Sequence, residues 1–162
     1  LASQLYWINQ FAEGNLAIMP APKAGLPLDE VMLKWKAEGV DVVVSLVEST
    51  EIPGLAEAEG VVCDELSLEF VWFPIRDKSV PSADQVAVLA CELAKDISAG
   101  KSVAIHCRAG IGRSTLLAAC VLICLGHDGA RALDMIAEAR GIEVPETEEQ
   151  RQWILSFVPK VD

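Results

Sequence analysis

The sequence is dominated by one stretch. Ser102-Val103-Ala104-Ile105, suited to a buried strand, runs into His106-Cys107-Arg108-Ala109-Gly110-Ile111-Gly112, and then into the apolar helical segment Arg113–Leu125, which Gly126 ends. A strand, a tight glycine-bearing loop and a helix in direct succession leave few ways to fold. The strand belongs in the interior of a sheet, and the helix must pack back onto it. Ligands of open α/β sheets gather at this end of a strand. The glycines let the backbone turn so that successive N–H groups point inward, forming an anion nest at the positive end of a helix.

The rest of the chain supplies partners for that unit. Leu5–Asn9 and Leu16–Met19 read as short strands parted by the turn residues Glu13-Gly14-Asn15, and Pro20–Pro27 as a loop. Leu28–Glu38 carries apolar residues at helical spacing and stops at Gly39. Val40–Val47 is the β-branched run of a strand buried on both faces. A weaker helix over Leu55–Leu66 and a strand over Glu69–Ile75 follow. Ser82 and Gln85 form a capping box for a helix reaching Gly100, and further helices cover Asp128–Arg140 and Thr147–Phe157. Alternating strands and helices predict an α/β three-layer sandwich, with a central mostly parallel sheet of about four to five strands flanked by helices. The 162 residues, 52% apolar, suit a single domain spanning 1–162 with its own core.

Charge and cysteine usage narrow the function. A formal net charge of −11 lacks the basic face that nucleic acid or an anionic membrane requires, so neither is expected as a partner. The longest apolar run, Leu116–Leu125, is about half the ~20 residues that span a bilayer, and no leader-like segment opens the sequence. Small molecules or proteins remain as the expected partners, bound by a monomer. Five cysteines at irregular spacing, with only His106 and His127 beside them, predict neither a disulfide framework nor a zinc site, and point to a reducing, cytoplasmic setting. Cys63, Cys91, Cys120 and Cys124 read as core packing.

Within the nest, N–H dipoles, the helix terminus and Arg113 all favour a thiolate at Cys107. Arg113 offers a planar fork for two phosphate oxygens, a geometry lysine does not share. A thiolate facing a phosphoryl group is a nucleophile at phosphorus, and the same donors stabilise the equatorial oxygens in the transition state. Neither a metal nor a cofactor is needed. His106 to Ser114 fits the pattern H-C-x-x-G-x-x-R-[S/T] at every fixed position, and here the chain resembles the protein tyrosine phosphatase superfamily, in particular its small atypical dual-specificity members. The resemblance implies that Cys107 is the nucleophile and Arg113 the phosphate clamp, with backbone N–H groups from Arg108, Ala109, Gly110, Ile111, Gly112 and Arg113 binding phosphate. It also implies that Ser114 hydrogen-bonds the sulfur and that His106 orients the loop.

Expelling the leaving oxygen needs a proton donor. Asp77, in Phe73-Pro74-Ile75-Arg76-Asp77, follows a strand and matches the loop in which the family carries its general acid. Asp84 is the rival, but it sits in a first helical turn where a carboxylate complements the dipole. Gln150 resembles a water-positioning glutamine of some small members, and equally completes a capping box with Thr147. The short chain suggests a shallow cleft open to phosphotyrosine and to phosphoserine or phosphothreonine. Inositol phosphates or phosphoinositides are the alternative. A phospho-binding module and an arsenate-reductase-like redox enzyme, which needs resolving cysteines, stand further off.

Overall fold

The computed structural model describes residues 4–8 and 13–160. Five strands form one sheet: β1 (Tyr6–Ile8), β2 (Asn15–Met19), β3 (Val42–Ser45), β4 (Glu69–Trp72) and β5 (Ser102–His106), in the order β1-β2-β5-β3-β4. β1 runs antiparallel to β2, as the two strands around Gly14 imply, and the other pairings are parallel. Asn9, placed in the first strand by its sequence, lies outside the described residues. The helices are α1 (Leu28–Ala37), α2 (Leu55–Leu66), α3 (Ala83–Ser98), α4 (Arg113–Cys124), α5 (Gly129–Arg140) and α6 (Glu148–Ser156).

Strand side chains alternate between faces, and here that splits the interior into two cores. Leu16, Ile18, Val42, Val44, Val103 and Ile105 meet the residues of α3, α4, α5 and α6 in the larger one. Ala17, Met19, Val43 and Ala104 meet Met32 and Trp35 of α1 and Val62 and Cys63 of α2 in the smaller. This is the three-layer arrangement expected. α4 lies at the centre of the larger layer, its residues from Arg113 to Leu122 all buried, which explains a helix apolar all round.

Two local readings need correction. Ser82 precedes α3, but its hydroxyl makes no bond to the helix, and Gln85 is exposed; in solvent, water satisfies the free N–H groups as well as a box would. β4 is shorter than Glu69–Ile75. Phe73 N–H still donates to the Ser45 carbonyl at 2.9 Å and Ile75 N–H to the Leu46 carbonyl at 3.0 Å, while Pro74 between them has no N–H for a regular ladder. The box at the other end forms as read: Thr147 and Gln150 cap each other at α6.

The register sets up the site. Met19 and Ser45 both pair with His106, and Trp72 pairs with Ser45, so the four parallel strands end level. The loops that follow them therefore share one edge.

Candidate active site

Cys107 is the first residue past β5, and alternation turns it toward the larger core while His106 points to the smaller. The backbone N–H of Gly110 donates to the Cys107 sulfur at 3.3 Å, and Cys107 Sγ lies 3.4 Å from Ser114 Oγ in the first turn of α4. Gly110 has φ +75°, and a Cβ there would stand 2.7 Å from the Met19 and Pro20 backbone. Only glycine provides both that turn and that approach. Arg108 and Ala109 are exposed at the loop's crest, Ile111 is half-buried, and Gly110 and Gly112 are buried.

The Arg113 side chain is 2% exposed and heavily committed. Nη1 donates to Glu51 Oε2 at 2.7 Å and to the Ile75 carbonyl at 2.9 Å, and Nη2 donates to Glu51 Oε1 at 2.8 Å. Asp77 Oδ1 lies 3.2 Å from Nη2. Burial works to lower the Arg113 pKa, but the Glu51 hydrogen bonds and the charges of Cys107, Glu51 and Asp77 outweigh it, leaving it above the ordinary value. For Glu51 burial works to raise the carboxyl, and Arg113 with the Glu48 N–H, at 2.7 Å, holds it below its ordinary value. Three loops, after β3, β4 and β5, thus meet on one guanidinium.

His106 is fully buried on the far side of β5. Its Nε2 sits 2.7 and 3.0 Å from the two oxygens of Glu59, a fully buried carboxylate on α2, and its Nδ1 sits 3.1 Å from the Cys107 carbonyl oxygen. Both ring nitrogens are engaged, so the ring reaches Cys107 through the backbone and not through the sulfur. Glu59 carried a sequence signal, since it shares the inward spacing of Ala56, Val62 and Cys63 on α2. Glu51 carried none in its own residue type. It was findable only by treating every loop at a carboxyl strand end as part of the site.

Arg140, the last residue of α5, braces the loop from outside. Its Nε donates to the Gly110 carbonyl at 3.1 Å and its Nη2 to the Ala109 carbonyl at 3.3 Å, while its guanidinium lies 4.1 Å from the centre of the Tyr6 ring. In a trans peptide the C=O and N–H point in opposite directions. Drawing the Ala109 and Gly110 carbonyls outward therefore aims the N–H groups of Gly110 and Ile111 inward. Arg140→Ala is expected to weaken vanadate or phosphate inhibition roughly tenfold, the scale of one charged hydrogen bond. Arg140→Lys should recover part of it, and an unchanged inhibition constant would remove Arg140 from this role.

The side-chain carbonyl of Gln150 accepts the N–H groups of Glu146 and Thr147 at 3.2 and 3.1 Å. Its buried Nε2 has no partner and lies within 3.0 Å of where a Gly112 Cβ would stand. The cap and the contact with the loop coexist. Asp84 is drawn instead to Lys160, at 3.6 Å on the surface. Of the other cysteines, Cys63 and Cys120 are buried as read, and burial pushes Cys63 up to about 12. Cys91 and Cys124 are only half-buried.

Comparison with known proteins gives this geometry a family. A family model described as "Polymorphic toxin system, DSP-PTPase phosphatase" matches residues 19–127, from the end of β2 past the end of α4. Cyclin-dependent kinase inhibitor 3 of Rattus norvegicus is 31% identical over 90 residues, which are 54% of this chain and 42% of that protein. The chain thus matches less than half the length of that relative. Among solved structures, kinase associated phosphatase with its catalytic cysteine changed to serine superposes with a TM-score of 0.84 at 19% identity, over 97% of this chain and 94% of that one. Tk-PTP superposes at 0.70 with 28% identity, over 90% of each chain. PTPMT1 in complex with PI(5)P superposes at 0.70 with 19% identity, over 88% of each.

Proposed function

The chain belongs to the DSP-PTPase phosphatase family of polymorphic toxin systems, and on that premise we propose that Cys107 carries the hydrolysis of phosphate monoesters through a cysteinyl-phosphate intermediate. The observation that carries the reading is the Asp77 carboxylate lying 3.2 Å from the Arg113 guanidinium of the Cys107 loop. The Cys107 sulfur attacks phosphorus while the bond to the leaving oxygen breaks and Asp77, which takes up a proton from solvent on leaving Arg113, gives that proton to the oxygen. Arg113 and the loop N–H groups hold the equatorial oxygens. Water then attacks the phosphorus, Asp77 takes its proton, and the P–S bond breaks with the Ser114 hydroxyl donating to the departing sulfur. Four guanidinium contacts are taken in the free site, two at Nη1 and two at Nη2. Substrate phosphate therefore binds through Nε and through the hydrogen that Asp77 gives up.

The substrates proposed are phosphotyrosine and phosphoserine or phosphothreonine in proteins. Beside the loop, where the Ala21 N–H donates to the Arg108 carbonyl at 3.1 Å, lies a cavity of about 280 Å³ lined by Met19, Pro20, Leu26, Val31 and Trp35. An apolar side chain flanking a phosphorylated residue fits these walls, while Gln4, Lys23 and Lys34 line the rest. Two matched proteins are named for kinases, which supports a protein substrate. PTPMT1, solved with PI(5)P, makes phosphoinositide the reading to test against. Among the described residues no helix is long and apolar enough to cross a membrane. A cytoplasmic monomer is the setting proposed.

Two measurements decide the reading. An initial-rate panel of phosphopeptides and phosphoinositides, with Cys107→Ser as the blank, should favour the peptides; faster turnover of the lipid would overturn the substrate class. Asp77→Asn should slow alkyl phosphates by about 10²-fold or more and activated aryl phosphates far less. Equal losses across leaving groups would take the acid's role from Asp77.

A further inference from the structure

Cys91 on α3 and Cys124 at the end of α4 approach each other to 3.4 Å between sulfurs. Both are half-buried and open onto a surface groove shared with Ala94, Lys95, Leu125 and Pro159. Cys91 also lies 3.6 Å from the Lys160 carbonyl, so the last described residues cover one side of the pair. We propose that Cys91 and Cys124 are an oxidation site that closes to a disulfide stapling α3 to α4.

The sulfurs need to close from 3.4 to about 2.05 Å to form the bond. Burial, then the contact with Cys91, pushes the Cys124 thiol up. A peroxide oxidises Cys91 to the sulfenic acid and releases one water. The Cys124 sulfur then displaces the hydroxyl, its proton leaves with that hydroxyl as a second water, and the S–S bond forms. Two thiols and one peroxide become one disulfide and two waters.

The pair serves neither as nucleophile nor as resolving thiol for Cys107. α4 rises roughly 16 Å from Arg113 to Cys124, so the staple lies at the far end of the helix from the loop. Its effect is on the frame. α3 begins directly after the loop bearing Asp77, and α4 begins with Arg113, so the link ties together the two helices whose starts define the site.

The test uses the full chain carrying Cys107→Ser, which removes the reactive nucleophile, treated with hydrogen peroxide and mapped without reduction. The expected product is a link between the peptides holding Cys91 and Cys124 with two hydrogens lost, and a Tm raised by roughly 5–10 °C. Cys91→Ser should abolish both effects, and Cys120→Ser should leave both in place. The proposal is overturned by a failure to form the link, by a link through Cys120 or between molecules, or by a link that leaves Tm unchanged. In the chain with Cys107 intact, Cys91→Ser should keep its reduced-state activity.

Discussion

Cys107→Ser is expected to reduce release of phosphate from p-nitrophenyl phosphate by about 10⁴-fold or more, while inorganic phosphate still binds. The change removes the nucleophile and leaves every donor of the nest. The loop carrying the Gly110 N–H is also held by Arg140, and the Arg113 fork is held by Glu51, so neither depends on the sulfur alone for its position. A serine hydroxyl in the same place is far less acidic than a thiol and stays protonated. The check is a paired measurement of kcat and of phosphate binding by calorimetry. Full activity in Cys107→Ser would end the covalent mechanism, and loss of phosphate binding together with activity would show that the loop had collapsed.

Arg113→Lys carries the second large effect, although it conserves charge. The expected loss is about 10²–10³-fold in kcat/KM, on the scale of removing a transition-state oxyanion donor. An ammonium cannot present the planar fork that meets Glu51 on one side and phosphate on the other. It would also leave part of Glu51, whose side chain is 11% exposed, without a partner. Breaking a buried pair costs about 3–5 kcal/mol, so a lowered Tm is expected alongside the kinetic loss. Adding Glu51→Gln to Arg113→Lys separates the two: it should restore much of the Tm and none of the rate. Recovery of the rate would mean that Arg113 acts through the fold and not on phosphate.

Much of this was legible in the sequence, for physical reasons that differ from part to part. The β5–loop–α4 unit could be read because its determinants are local: a β-branched strand, two glycines and a helix start lie within a few residues. α2 forms where the sequence places a weaker helix, roughly Leu55 to Leu66. Asp77 could be placed at the same sheet edge as Cys107 because it follows a strand in the same sense, and it lies 3.2 Å from Arg113. The strand ends were less legible, since β3 and β4 pass into irregular pairing where Pro74 interrupts the ladder. Glu51 and Glu59 were missed because their roles are non-local. Each meets a residue far along the chain, Arg113 and His106; the inward spacing of Glu59 marks it as buried but does not name its partner, and Glu51 gives no sign at all until strand order is known. Cys91, read as core packing, is half-buried, and its neighbour Cys124 is on another helix.

The contact between Asp77 and Arg113 bears on how the reaction ends. An Asp77 that sheds its proton and returns to the guanidinium as phosphate departs is an internal competitor for the product. Every phosphate that lingers must displace a ligand built into the chain. Resting enzyme would then hold its own product weakly, and turnover would not stall as free phosphate accumulates around it.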